Sequence, residues 1–184
     1  MSGSLRRLLD DNPVTVAPRL LGMRVRTRFG GELTEVVLDE VEAYAGSGDP
    51  ASHSANGLTP RNRPMWGPPG TLYVYRSYGV HWCMNVVTGP SGVPGAVLLR
   101  GGMAVEGEHV MALRRGRADH LADGPGKLCA ALGVTGDHNA TSVLGGPVRL
   151  LARRGPEPGF AATPRIGITR ATDRPWRFVS AAGR

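Results

Sequence analysis

Alternation of apolar and polar residues shapes this chain more than helical spacing does. Period-two runs at residues 23–29 and 32–42 read as strands, with Gly30-Gly31 between them as a hairpin turn. Further β-type runs occupy 71–75, 82–87 and 96–100, and short ones follow at 148–151, 165–168 and 177–179. Helical spacing is found at 4–9, 14–21, 105–115 and 125–132. Residues 46–70 are rich in Gly, Pro and Asn, and a loop of that length is usually functional or carries short helical turns. Hairpins follow one another, with helices at the start and in the middle. That order predicts α+β with a largely antiparallel sheet rather than a doubly wound parallel fold. At 184 residues without an internal repeat, a single domain over 1–184 is expected.

Composition narrows the class. No apolar stretch approaches the ~20 residues of a membrane helix, and the first residues lack the long apolar core of a signal peptide. A cytoplasmic protein without a membrane partner is therefore expected. Cys83 and Cys129 form no C-x-x-C, which suits reduced, buried thiols. Histidines 53, 81, 109, 120 and 138 show no metal-ligand spacing, so no metal site is expected. The usual nucleotide fingerprints are missing too. Net charge is +7, from 22 basic against 15 acidic residues, and Lys127 is the single lysine. A positive excess favours a polyanionic partner through phosphate contact and counterion release, although many basic proteins have none.

Candidate chemistry is concentrated in a few places. In Asp39-Glu40-Val41-Glu42-Ala43-Tyr44, strand alternation puts Glu40, Glu42 and Tyr44 on one face. Two readings stand on the residues alone. The cluster is a solvated strand end, or it is a carboxylate raised in pKa by apolar neighbours and a second acid, suited to base catalysis. Three of the four tyrosines fall at 73, 75 and 78. Tyr73 and Tyr75 share a strand face, with Asn85 on the partner strand. They are either core residues or the walls of a pocket. Tyr78-Gly79 sits at the turn between 71–75 and 82–87, beside Arg76 and His81. Tyr78 either folds back onto the sheet or projects as a wedge for stacked bases. Gly124-Pro125-Gly126-Lys127 opens a helix whose first amides suit a phosphate, though most such turns hold water.

Together these segments resemble the alkyladenine (3-methyladenine) DNA glycosylase family. The matching motifs are Glu40-Val41-Glu42-Ala43-Tyr44, His53-Ser54, Thr59-Pro60-Arg61-Asn62-Arg63, Gly70-Thr71-Leu72-Tyr73-Val74-Tyr75, Tyr78-Gly79, Cys83-Met84-Asn85 and Val97-Leu98-Leu99-Arg100. Gly124-Pro125-Gly126-Lys127-Leu128, Arg165-Ile166-Gly167-Ile168 and Pro175-Trp176-Arg177-Phe178 complete the set, in order, over about residues 17–179. Asp39 departs from the pattern, standing where an apolar residue is expected.

The resemblance implies one α+β domain with a curved antiparallel sheet, peripheral helices and a protruding β-hairpin. It also implies a monomeric, cofactor-free, monofunctional glycosylase acting on double-stranded DNA that contains damaged purines, in a compact bacterial protein held at the nucleoid. By position, Glu42 matches the base that activates water and Arg100 the arginine that organises that centre. Tyr44, His53 and Tyr75 match the base pocket, and Asn85 the asparagine that disfavours guanine. Tyr78 matches the intercalating residue, with Arg76, His81, Gly124 and Lys127 placed to contact DNA. Lyase chemistry needs an amine at the sugar carbon; the single lysine lies in the turn before a helix, so hydrolysis without strand cleavage is expected. A non-catalytic damage-binding module and an enzyme of RNA or free nucleosides are the alternatives. The first predicts loss of the carboxylate or pocket aromatics, and the second leaves Tyr78 without a purpose.

Overall fold

Gly30 and Gly31 both take positive φ, 60° and 86°, the backbone that a two-residue hairpin turn of the primed kind requires. They join β1 (Arg24–Phe29) to β2 (Glu32–Tyr44), pairing Phe29 with Glu32 and Arg24 with Val37. The structure is a computed structural model and describes residues 2–181. Its other strands are β3 (Leu72–Ser77), β4 (His81–Val87), β5 (Ala96–Glu106), β6 (Val148–Leu151), β7 (Phe160–Thr163) and β8 (Arg177–Ser180). They form one antiparallel sheet in the order β3-β4-β5-β2-β1-β6, with β8 joining β2 and β7 joining β8. The sheet curls around its core as a half-barrel, and four described helices pack on it. This is the α+β single domain that the hairpin order predicts.

β2 is the spine. It pairs with β5 along most of its length, with β1 through its first half and with β8 at residues 40–42. Val36 and Leu38 point into the core, yet so do Val41 and Ala43. The parity changes because Leu38 opposes Gly102 and Glu40 opposes Gly101, leaving Asp39 as an extra residue. On β5, Glu40 opposes Gly101 and Val41 opposes Leu99, so Arg100 is the complementary extra residue. Such bulges re-aim side chains. This one explains the acid at 39 where an apolar residue is expected, and it turns Glu40, Glu42 and Tyr44 away from the core.

The helices are α1 (Ser2–Leu9), α2 (Pro13–Leu20), α3 (Glu108–Arg115) and α4 (Pro125–Leu132). α2 shows why the local sequence folds. The Asn12 side chain accepts from the Val14 amide at 2.9 Å, and Pro13 follows as the first helical residue. Pro13, Val16, Ala17 and Leu20 then form its buried face. None of the described helices is long and apolar enough to cross a membrane. Cys83 and Cys129 are free and buried, as expected.

Two elements differ from the sequence reading. β5 runs on to Glu106, so Val105 is a strand residue, and α3 starts only at Glu108 after Gly107 at φ 71°. The apolar spacing of 105–115 includes a strand end that happens to fall in helical phase. Residues 165–168 are not a strand. Besides β2, β8 pairs with Phe160–Thr163, whose residues are mostly exposed and carry little apolar contrast. Arg165 is instead buried against the sheet, and Gly167 at φ 74° bends the chain away.

Candidate active site

A cleft of about 430 Å³ opens on the face of the sheet that carries Glu42, between the β3–β4 hairpin and the 46–70 loop. Tyr44, His53, Tyr75, Asn85 and Arg100 all line it, as does Tyr78 at its rim. The fold therefore brings Tyr44 and Arg100, 56 positions apart in the chain, to one cleft, with Ile166 122 positions from Tyr44.

Glu42 itself is 0% exposed and sits directly behind the lining residues. Its Oε1 accepts the Ile166 amide at 2.8 Å, and its Oε2 accepts the Tyr44 hydroxyl at 2.8 Å. Arg100 places Nε 2.8 Å from Glu40 Oε1 and 3.4 Å from Glu42 Oε1. Arg177 also reaches Glu40 Oε1, at 2.7 Å. The two acids consequently titrate in opposite directions. Burial dominates at Glu42 and raises its pKa above the ordinary 4.5, against the pull of Arg100 and the Ile166 amide. Burial also acts upward on Glu40, but the hydrogen bonds and charges of Arg177 and Arg100 outweigh it, and that carboxyl is lowered. One anion is thus locked in place while its neighbour is poised nearer neutrality. A group with both oxygens held retains acceptor capacity, because each carboxylate oxygen carries two lone pairs.

The aromatic walls are set by strand parity and by the loop. Tyr73 and Tyr75 leave the main core and form a second cluster with Met65 and Trp66. The His53 ring meets Tyr75 edge-on, 4.5 Å between centroids at 75°, and its Nδ1 lies 3.0 Å from the Tyr73 hydroxyl. Desolvation where its ring packs on Tyr73 and Tyr75, followed by the charge of Arg61, lowers the His53 pKa and so favours the neutral ring. Burial also raises the Tyr44 and Tyr75 hydroxyls, so both stay protonated donors. Asn85 gives Nδ2 to the Tyr73 carbonyl at 3.1 Å, which fixes its amide against the cleft wall.

Asn62 staples the loop that carries His53. Its Nδ2 donates to the carbonyls of His53 and Gly57, each at 2.9 Å, and its Oδ1 accepts the Thr59 amide. Asn62 lies inside the Thr59–Arg63 motif, but nothing local marks it as the anchor. The buried pair Asp49–Arg165 and the Ile166 amide are further site elements that the sequence reading missed. Asp49 had only its place in a long loop as a signal, and Arg165 looks there like a strand residue.

The DNA-facing candidates divide. Tyr78 is 91% exposed at the hairpin tip, at φ 50°, followed by Gly79 at φ 69°. It does not fold back onto the sheet. The Arg76 guanidinium stacks 5.4 Å from the Trp82 ring. His81 packs against Gly126, where a Cβ would lie 2.9 Å from that of His81. This joins the hairpin base to the start of α4. Lys127 is paired with Asp123 at 2.9 Å. Slight burial pushes Asp123 upward, but Lys127 and His120 draw it down to about 2. Gly124 precedes α4 with extended backbone and supplies no side-chain cap. Among the described residues, no group of three His, Cys, Asp or Glu is placed to hold a metal ion.

The model of the methylpurine-DNA glycosylase family matches residues 7–184. The chain belongs to that family. It is a DNA glycosylase, and similar proteins that carry the provisional name 3-methyladenine DNA glycosylase are found in several bacteria. One in Rhodopseudomonas palustris (strain BisB18) is 47% identical over 165 residues, covering 89% of this chain and 80% of its own. One in Nocardia farcinica is 48% identical over 186 residues, covering 95% and 85%. One in Frankia casuarinae is 50% identical over 185 residues, covering 91% and 84%. In this glycosylase a buried carboxylate stands behind a cleft walled by aromatic rings.

Proposed function

We propose that this glycosylase rotates a damaged purine nucleotide out of duplex DNA into the aromatic cleft and hydrolyses its N-glycosidic bond, leaving an abasic site. The observation that carries this is Glu42, a buried carboxylate of raised pKa held behind the aromatic slot by Tyr44, Arg100 and the Ile166 amide. In the reaction, a water oxygen attacks C1′ while the C1′–N bond breaks and its electron pair leaves with the base. Glu42 takes the water proton, and its charge stabilises the oxocarbenium-like sugar. Alkylation at N3 or N7 makes the purine a cation, so the departing pair simply neutralises it. Deaminated purines such as hypoxanthine leave as poorer groups and need added activation. Neutral His53 and the protonated tyrosines put no positive charge against a cationic base, their ring faces attract one, and Asn85 crowds the position of an exocyclic amine. Lys127, tied to Asp123, is no candidate for a Schiff base, which favours hydrolysis without strand cleavage.

Flipping costs a few kcal/mol, and Tyr78 projects where it can fill the vacated stack. Arg76 and His81 flank it, and the first amides of α4 after Gly124 lie beside the hairpin base for phosphate contact. Tyr78→Ala is expected to weaken excision by on the order of tenfold at well-paired lesions and less at mispaired ones, since stacking is worth roughly 1–3 kcal/mol. Single-turnover rates on matched and mismatched duplexes check this, and equal rates for both proteins would remove the wedge role. We further take the working form to be a monomer at the bacterial nucleoid.

The pH profile follows from the direction of the Glu42 shift. A general base works only when deprotonated, so the rate rises with pH through its folded pKa. Burial places that rise above 4.5, the ordinary carboxylate value. Excision of a cationic base is expected to climb across the mildly acidic range, on a limb displaced upward from that value. A limb at or below the ordinary value would contradict the assignment. Release of free base from a panel of single-lesion duplexes is the test of the function as a whole.

A further inference from the structure

Arg165 lies behind the aromatic slot, not in it. Its side chain is 0% exposed, as is that of Asp49. Nη1 donates to the Ala43 carbonyl at 2.9 Å and to Asp49 Oδ2 at 2.5 Å, while Nη2 donates to Asp49 Oδ1 at 2.8 Å. The guanidinium carbon stands 4.7 Å from the Tyr44 ring centre and 5.1 Å from that of Trp176, so the cation is layered against both rings. Tyr44 and Ile166 line the cleft and Arg165 does not, which puts its charge on the face of Tyr44 turned away from the slot.

We infer that Arg165, partly neutralised by Asp49, is a positioning and specificity residue that sets, from behind Tyr44, the slot's relative preference for cationic and neutral damaged bases. The inference rests on the purine-release reading above. A ring attracts a cation on either face through its quadrupole. A cation already on one face draws π density toward itself and repels a second cation across the ring. An alkylated purine in the slot is such a second cation, and a deaminated purine is not. Asp49 limits the repulsion without removing it, because it lies on the guanidinium rather than on the ring. Arg61 also stacks on a wall, 5.5 Å from the Tyr75 ring. It is exposed and screened by solvent and salt, so the buried cation discriminates more strongly. The forked guanidinium, fixed by three hydrogen bonds, also holds the plane of Tyr44.

The test uses Asp49→Asn with Arg165→Met, which removes both charges without leaving either one buried alone. Single-turnover release of 3-methyladenine and of hypoxanthine is compared with the parent protein. The ratio of cationic to neutral release is expected to rise about threefold or more. Arg165→Lys keeps the charge and loses the fork, so both rates should fall together with their ratio changed by less than about twofold. If the double variant does not fold, Asp49→Asn with Arg165→Gln is the second charge-free protein. Where one release is too slow to follow, binding of each lesion duplex in a Glu42→Gln background reads the same ratio. An unchanged ratio in a folded charge-free variant overturns the inference and leaves Arg165 a structural residue. A parent protein that releases neither base overturns the purine-release reading instead.

Discussion

Glu42→Gln is expected to retain damage-specific DNA binding while base release falls by on the order of 10²–10⁴. The amide is nearly isosteric with the carboxylate: its oxygen can still accept from the Ile166 amide, while its Nε2 can donate to the Tyr44 hydroxyl oxygen, reversing that one bond. What it lacks is a site for the proton of water and the charge that stabilises the sugar cation. Arg100 loses one anion but keeps Glu40 at 2.8 Å, so the local arrangement should hold. Binding by fluorescence anisotropy and excision under single-turnover conditions separate the two effects. Parental excision by the variant would mean that the base lies elsewhere. Loss of binding together with excision would mean that Glu42 is architectural.

Asp49→Ala should be the most damaging single change to stability, at about 3–5 kcal/mol. It strands the Arg165 guanidinium in a site from which water is excluded. It also removes the acceptor of the Ala51 and Ala45 amides, at 3.2 and 3.3 Å. Thermal melting measures the loss, and the charge-free pair Asp49→Asn with Arg165→Met should melt much closer to the parent. The pH dependence has a definite sign. Burial acts upward on Asp49, but the hydrogen bond and charge of Arg165 win, so its pKa falls below 3.8. The stabilisation is therefore complete above that unfolded value and is lost as pH falls through the folded one. A melting temperature unmoved by Asp49→Ala would show that the pair contributes nothing net.

Much of this was legible in the residues, for identifiable reasons. Gly30-Gly31 and Gly79 announce hairpins because few other residues accept their positive-φ backbone. The tyrosine face of β3 follows from alternation within one short strand. The carboxylate, the aromatic walls and the tip residue were found through motifs that are local in sequence. What escaped notice depends on distance. Asp49 and Arg165 are 116 positions apart, and neither has a neighbour that hints at the other. Strand β7 is Phe-Ala-Ala-Thr, a segment whose pairing with β8 owes more to its position than to its composition. The end of β5 was hidden because Val105 matches the phase of the helix that follows it.

The paired irregularity at Asp39 and Arg100 carries a consequence for how this protein can change. Removing one residue between 36 and 42 would rotate everything after it by half a pleat. Glu42 would then face hydrocarbon, and Val41 would face water. Many substitutions there leave the pleat untouched, whereas an insertion or deletion exchanges inside for outside at the residue proposed as the base. In this stretch, the number of residues is a stricter requirement than their identity.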